Sequence, residues 1–554
     1  MPALPAAADL RLLPPFVSAL LAGETPAPVD LPTDLAAQRL LHLTLRRNGA
    51  LQIAFWAQGS GLADALAHGL MQARAALAAA TCAPPDMLFL DIPHAPEPLD
   101  PDDLRRARCN AFRGLYGLEL RAAGRLVRMA PSVMIARNLT PKRALEVLLT
   151  ELAPPPGTKV ETLRFPTTQI LLELPQGRAR PLMRGQPVVP QTAITREKVA
   201  EMAGLMTGWM QRAIAPSGRA TYKYWPSSGQ YALSNNMIRQ FMGSACLARA
   251  AIRPEAPEGL AEARDRNFAH NFRHWYRDEG GFGVIVEGPK VKLGAAAVAL
   301  TSILDLPDPT TPYAAELRGL SAFLTAMQQP NGRFTCFLRP RGREDDCQNF
   351  YPGEALLALM RLYRHSGDPA LLDHVARGFA HYRDWHRAQP NPAFVPWHSM
   401  ALALYHAETG DTAAAAFVFE MNDWLLGMQQ GDEAPADVQG EFFDPARPEF
   451  GPPHASSTGV YLEGLIEAFA LARTLGDHNR EDRYRRAILR GLRSLRQLQF
   501  RHASDMGYIS RRSAVLGGLR SSAFDNTLRI DNVQHGLMAI FRILDLFSDA
   551  DYRM

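Results

Sequence analysis

Six stretches of the chain share a pattern that few architectures can use. Each opens on a polar or proline-containing turn and runs on as a helix rich in small residues and apolar nearly all round: SNNMIRQFMGSACLARA (234–250), KLGAAAVALTSIL (292–304), YPGEALLALMRLY (351–363), PWHSMALALYHA (396–407), SSTGVYLEGLIEAFALA (456–472) and IDNVQHGLMAIFRIL (530–544). A helix without a polar face has to be buried on every side. The first five are each followed by an amphipathic helix with charges along one face, such as GLAEARDRNFAHNFRHWYRD (259–278), ALLDHVARGFAHYRDWHRA (370–388) and REDRYRRAILRGLRSLRQLQF (480–500). Alternating the two kinds makes two concentric rings, so the chain is predicted to be mainly α, with an (α/α)6 toroid over 196–554. An open solenoid uses the same alternation, but its repeats keep nearly constant length. Here the buried segments start roughly 45 to 75 residues apart, with elaborate loops between them.

Three of those loops resemble one another: MQQPNGRFTCFLRP (327–340), MQQGDEAPADVQGEFF (428–443) and LQFRHASDMGYISRR (498–512) each lead from a glutamine-rich helix end into a glycine-containing, strand-like hairpin. Loops repeated at equivalent points lie on one face, here around the mouth of a central funnel.

The first 190 residues follow another pattern. Alternating runs such as LLHLTLRRNGALQIAFW (40–56), MLFLDI (87–92) and TQILLEL (168–174) are interleaved with the helix-like LADALAHGLMQARAALAAA (62–80). This predicts a smaller α/β (α+β) N-terminal domain of unknown role and unknown protein partner, with the boundary in PQGRARPLMRGQPVVPQT (175–192), where periodicity breaks down.

Composition excludes several function classes. Sixty Lys+Arg against 56 Asp+Glu leave a formal charge of +4, too slight for a dedicated nucleic-acid binder, so only local charge can be argued. The five cysteines form no CxxC pair, against a structural zinc site or a disulfide framework. No run of 18 apolar residues is free of charge and proline, so no membrane span is expected, and with no signal peptide read at the start the expected location is cytoplasmic. The sequence has no convincing GxGxxG unit, GxxxxGK[ST] loop, HExxH or GxSxG elbow. No cofactor and no metal are implied, although Asp345, Asp346, Glu441 and His454 are donors a divalent cation accepts.

In a closed toroid the starts of the inner helices line one funnel. Along the six entries stand Asn235, Asn236 and Arg239; Glu287, Lys290 and Lys292; Asp345, Asp346, Asn349, Tyr351 and Glu354; Trp397 and His398; Glu441, Asp444, His454, Ser457 and Tyr461; and Asp531, Gln534 and His535. Polar groups clustered at equivalent points of every repeat are what a ligand cavity requires and packing does not. Each has a plainer reading too. Asp345 and Asp346 serve equally as solvated charges or caps, Glu354 as a complement to the helix dipole, His398 as a packed core histidine, and Tyr224 and Trp225 as packing or as a sugar-stacking platform.

The segment DDCQNFYPGEALLALMRLYRHSGDPALLDHVARGFAHY (345–382), the Trp-His entry at 397–398 and IDNVQHGLMAIF (530–541) resemble carbohydrate-active (α/α)6 proteins over roughly 220–545. The similar groups are the C-terminal helical domain of D-glucuronyl C5-epimerases, N-acylglucosamine 2-epimerase-like proteins and unsaturated glucuronyl hydrolases. The chain departs from the 2-epimerases at Tyr351-Pro352-Gly353-Glu354, where they carry histidine after the glycine. It departs from class II terpene cyclases at Arg343-Glu344-Asp345-Asp346, which is not their Asp-x-Asp-Asp. The N-terminal part resembles the AMMECR1-like domain in its strand, loop and helix order, without that family's Gly-Cys-Ile-Gly signature.

The resemblance implies a carbohydrate-active enzyme, a glycoside hydrolase, epimerase or lyase, working on an anionic, uronate-containing oligo- or polysaccharide. Its acids and bases are sought among Asp345, Asp346, Glu354, Glu441, Asp531, His398, His454 and His535. Arg239, Lys290 and Lys292 are expected to hold the acidic group. Tyr224, Trp225, Tyr351, Trp397 and Tyr461 are expected to stack on sugar faces, with Asn235, Asn236, His454 and Gln534 as further binding residues. The alternative is a non-catalytic saccharide- or protein-binding platform.

Overall fold

The computed structural model describes residues 4–105, 113–175 and 177–553; Cys109 lies outside them. Twelve long helices, besides the single turn Arg512–Val515, form the C-terminal part and are numbered here in chain order: α1 (Arg196–Arg212), α2 (Met237–Ala251), α3 (Leu260–Trp275), α4 (Leu293–Leu304), α5 (Ala314–Ala326), α6 (Tyr351–Ser366), α7 (Ala370–Ala388), α8 (Val395–Thr409), α9 (Thr412–Leu426), α10 (Ala455–Thr474), α11 (His478–Leu498) and α12 (Ile530–Leu546). The even-numbered helices are the six apolar stretches. Each packs on the next around a ring, α2 on α4 and so on to α12, and α12 closes it by packing on α2. The odd-numbered helices cover them from outside, with α1 lying over α12. The fold is an (α/α)6 toroid preceded by a smaller α/β part. The sixth outer helix precedes the first inner one, which is why nothing amphipathic follows 530–544.

The recurring glutamine-rich loops explain how the outer ring holds together. At the end of α5, Gln328 Nε2 donates to His374 O of α7 (2.9 Å); after α9, Gln429 Nε2 donates to Ala487 O of α11 (2.9 Å); after α11, Gln499 Nε2 donates to Met202 O of α1 (3.1 Å). A glycine follows each glutamine in left-handed backbone, Gly332 (φ 89°), Gly440 (φ 85°) and Gly517 (φ 87°). An added Cβ there would stand 2.0 to 2.1 Å from a backbone oxygen of the next outer helix. Conformation and contact both demand glycine. The third clamp reaches back to α1 and so joins the last outer helix of the chain to the first.

The N-terminal part is an antiparallel sheet in the spatial order Ala50–Gln58, Leu40–Arg47, Met87–Pro93, Glu161–Glu173, Tyr116–Ala122, Arg125–Met129. Successive side chains of a strand face opposite ways, which accounts for the unbroken apolar run at 87–92. Leu88, Leu90 and Ile92 pack under the helix Leu62–Ala79, whereas Met87 and Phe89 join the core of the toroid. A Cβ on Gly507, in the loop after α11, which forms turns rather than the expected strand-like hairpin, would lie 2.6 Å from Phe89. The sheet is thus seated on the side of the rings where the glutamine-rich loops lie. Among the described residues no helix is long and apolar enough to cross a membrane.

Candidate active site

The inner helices must approach closely where they begin, and small residues permit it. An added Cβ on Gly294 of α4 would stand 2.2 Å from Glu354 Oε2, and one on Gly353 of α6 would stand 2.6 Å from Trp397 Cβ and 2.7 Å from His398 Nδ1. On α12, Gln534 Nε2 donates to Arg239 O of α2 (2.7 Å), stitching the first and last inner helices.

Within this ring of helix starts the structure brings together Arg239, Asp531, Glu354, Tyr351, His454 and His535. Asp531 is fully buried. Arg239 Nε lies 3.1 Å from it, and Arg529, the residue before α12, holds it through Nε (3.0 Å) and Nη2 (2.5 Å). Burial alone would raise its pKa, but Arg239, Arg529 and His535 together hold it below the usual carboxylate range. Glu354 has the opposite fate. Burial pushes it up to about 8, opposed only by Arg239, and its buried Oε2 has no hydrogen-bond partner. At neutral pH Glu354 is therefore a protonated acid and Asp531 an anion, both within the field of one guanidinium.

His454 caps α10 by accepting the Ser457 N–H at Nδ1 (3.0 Å), which puts its own proton on Nε2. Burial first, then Arg529, Arg239 and His535, push it down to about 4 against the pull of Asp531, so it is neutral. His535 Nδ1 lies 2.7 Å from Glu463 Oε1 on α10; a hydrogen bond to a carboxylate needs the proton on Nδ1, which in a neutral ring makes Nε2 the acceptor. Trp397 meets the His535 ring edge-on at 6.1 Å. Burial raises Tyr351, with the Glu354 charge adding.

The rim is basic. Lys292 Nζ pairs with Glu287 (3.2 Å), whose other oxygen accepts Met237 N–H at the start of α2 (3.5 Å), and Lys290 stands on the same hairpin. Asn236 caps α2 by accepting Arg239 N–H (3.1 Å), and Asn235 accepts from Gln240 (2.8 Å). Arg239, Arg529, Lys290 and Lys292 thus outnumber the carboxylates Asp531, Glu287 and Glu463. The strand Asp525–Arg529 pairs with Lys223–Trp225 so that Lys223 faces Arg529 across the ladder. Alternation puts Lys223, Trp225 and Arg529 on one face, with Lys223 Nζ 5.5 Å from the centre of the half-buried indole, and turns Tyr224 into the core.

Other expected site residues lie elsewhere. His398 sits between the rings: Nδ1 donates to Phe394 O (3.0 Å), the ring stacks on Phe394 at 3.4 Å, and Tyr382 of the outer helix α7 lies 5.7 Å away. Burial pushes it down to about 3. Asp345 and Asp346 pair with Arg333 and Arg343, and their side chains are 70% and 45% exposed. Glu441 is buried, with neither oxygen hydrogen-bonded, and is pushed up to about 8 by burial and then by Asp437. The arginines acting on it are Arg184, Arg520 and Arg493, and Arg184 of the N-terminal part pairs with Asp437, so Glu441 belongs to the seam between the two parts. Tyr461 packs edge-on to Phe442 at 5.5 Å. Among the described residues no three of His, Cys, Asp and Glu are grouped as a metal ion requires.

Sequence reading missed Arg529 and Glu463. Arg529 falls one residue before the apolar pattern that marks the last inner helix; its only signal is a basic residue two places before Asp531. Glu463 lies within the apolar run of α10, where nothing local separates a buried acid from a surface one.

No family model matches the chain, and no curated protein matches it. Solved structures do. An unsaturated glucuronyl hydrolase specific for heparin is similar at 12% identity, over 63% of this chain and 97% of that one, with a TM-score of 0.47. A D-mannose isomerase is similar at 11% identity, over 65% and 99%, with a TM-score of 0.48. An uncharacterised protein from Pyrococcus horikoshii is similar at 16% identity, over 32% and 97%, with a TM-score of 0.26. These are likenesses of chain course, and no activity follows from them.

Proposed function

We propose that the protein is a carbohydrate-active enzyme that uses acid-base chemistry on an anionic, uronate-bearing oligo- or polysaccharide, and that it cleaves a glycosidic bond. The observation that carries this reading is the opposite displacement of two carboxyl groups that both feel Arg239, Glu354 upward and Asp531 downward. Titratable neighbours driven apart are how a site holds a proton donor and an anion at one pH. Glu354 donates its proton to the leaving oxygen. His535, its Nδ1–H tied to Glu463, takes the proton of the attacking water at Nε2. Asp531 stays ionised and fixes Arg239 and Arg529, whose side chains are each 30% exposed, to receive the substrate carboxylate. The indole of Trp225 offers a stacking surface beside Arg529.

The His535–Glu463 pair favours a second reading, in which Nε2 removes the proton on the carbon next to the uronate carboxylate and the product is an epimer. Incubation with glucuronate-containing oligosaccharides in deuterated water separates them. New reducing ends support cleavage, whereas deuterium at that carbon without chain shortening supports epimerisation. If neither appears with any uronate substrate, and Glu354→Gln behaves as the unaltered protein does, the enzyme reading is wrong.

A further inference from the structure

The strand that delivers Arg529 to the funnel is held at its far end by the N-terminal part. Asn138, in left-handed backbone (φ 53°), donates from Nδ2 to Asp525 Oδ1 (2.9 Å) and Thr527 Oγ1 (3.3 Å), and its Oδ1 accepts Asn526 N–H (3.1 Å). One side chain thus bonds three consecutive residues of Asp525–Arg529. Asn526 in turn donates to Ile135 O (2.8 Å) and accepts from Tyr508 (3.0 Å), and Arg113 Nη2 donates to Asn138 Oδ1 (2.5 Å), fixing the amide that does the holding. Asn526 and Thr527 are buried. From Asp525 to Arg529 is four strand steps, about 13 Å. The strand is paired at both of its ends: Lys223–Tyr224 holds Arg529 and Leu528 on one side, and Arg520–Ser522 holds Leu528 and Asp525 on the other, across a bulge. Displacement at one end of so short a strand, anchored at Asp525, Leu528 and Arg529, reaches the other.

We infer that the N-terminal part is a component of the anion-binding wall: through Asn138 it sets the position of Arg529, and with it the grip on the substrate carboxylate. Asn138 is a positioning residue, acting through the strand Asp525–Arg529. The ligand it serves rests on the uronate reading above; the mechanical link does not.

Asn138→Gly keeps the left-handed backbone and removes only the amide, so the test uses the full chain carrying Asn138→Gly, Asp525→Ala, or both. Hydrogen exchange of the amides at 527–531 is expected to accelerate about tenfold in Asn138→Gly, with the start of α6 unchanged and the double variant accelerated by less than the product of the two single effects, since the two share the Asn138–Asp525 bond. The dissociation constant for methyl β-D-glucuronide should rise about tenfold with that for methyl β-D-glucoside unmoved, and kcat should hold while KM rises, since Arg529 binds ground and transition states alike. Unchanged exchange at 527–531, additive effects in the double variant, or equal loosening of all six inner helix starts would each overturn the inference. If the unaltered protein does not bind the glucuronide, the uronate reading falls, and hydrogen exchange alone decides the link.

Discussion

Arg239 Nε stands 3.1 Å from the Asp531 carboxylate, and the same guanidinium is the one charge that opposes the burial of Glu354. A cation on the first inner helix thereby couples an acid on the third to an acid on the sixth, and three helices far apart in sequence share one electrostatic site.

With Glu354 as the proton donor, its protonated form is the active one, and kcat/KM should fall as pH rises through about 8. Arg239 pulls that value down, so in Arg239→Ala the alkaline limb should move to higher pH. A kcat/KM-pH profile of both proteins measures the shift, and a limb that stays in place would remove Glu354 from the donor role.

Glu354→Gln should lower kcat by about 10² to 10⁴ while making the protein more stable at neutral pH. The raised value of about 8 against 4.5 fixes the sign. Below pH 4.5 the carboxyl is protonated both folded and unfolded, and no penalty exists. As pH climbs to 8 the unfolded chain ionises while the folded one does not, and stability drains away; above 8 the loss is constant. The stability advantage of Glu354→Gln should therefore grow between pH 4.5 and 8 and then level off in urea titrations. Glu441→Gln should show the same pH dependence.

Asp346→Asn should leave turnover within about threefold and stability within about 0.5 kcal/mol, because its side chain is exposed and its pairing with Arg343 lies at the surface. Loss of turnover comparable to that of Glu354→Gln would place the acid in the exposed loop.

Gly353→Ala should destabilise the toroid by about 1 to 3 kcal/mol, since the added methyl has no room between α6 and the Trp397–His398 start of α8. Gly367→Ala, at the far end of α6, meets nothing within 4 Å and isolates the cost of its left-handed backbone (φ 73°). Comparing the two in chemical denaturation separates crowding from strain.

Much of this architecture was legible in the chain. Helices apolar all round have to be buried and those apolar on one face have to border water, a local property that periodicity records. Six of one kind alternating with the other left little besides a double ring, and the Gln-Gly loops marked where its repeats join. The antiparallel sheet at the N-terminus was legible only as a mixture of strands and helices, because the unbroken run at 87–92 reports burial on both faces without naming what covers them. The site was legible as a set of polar helix starts and no further. That Glu354, Asp531 and Arg239 meet, that Arg529 joins them, that Glu441 is carried to the seam with the N-terminal part, that Asp345 and Asp346 face solvent and that His398 turns outward between the rings depend on how each helix is rotated about its axis and on which partner removes its water. Those are consequences of ring closure, set by contacts between residues up to 300 positions apart, such as Gln534 with Arg239. The shifts that give Glu354 and Asp531 opposite charge states exist only once that closure has buried the one and paired the other.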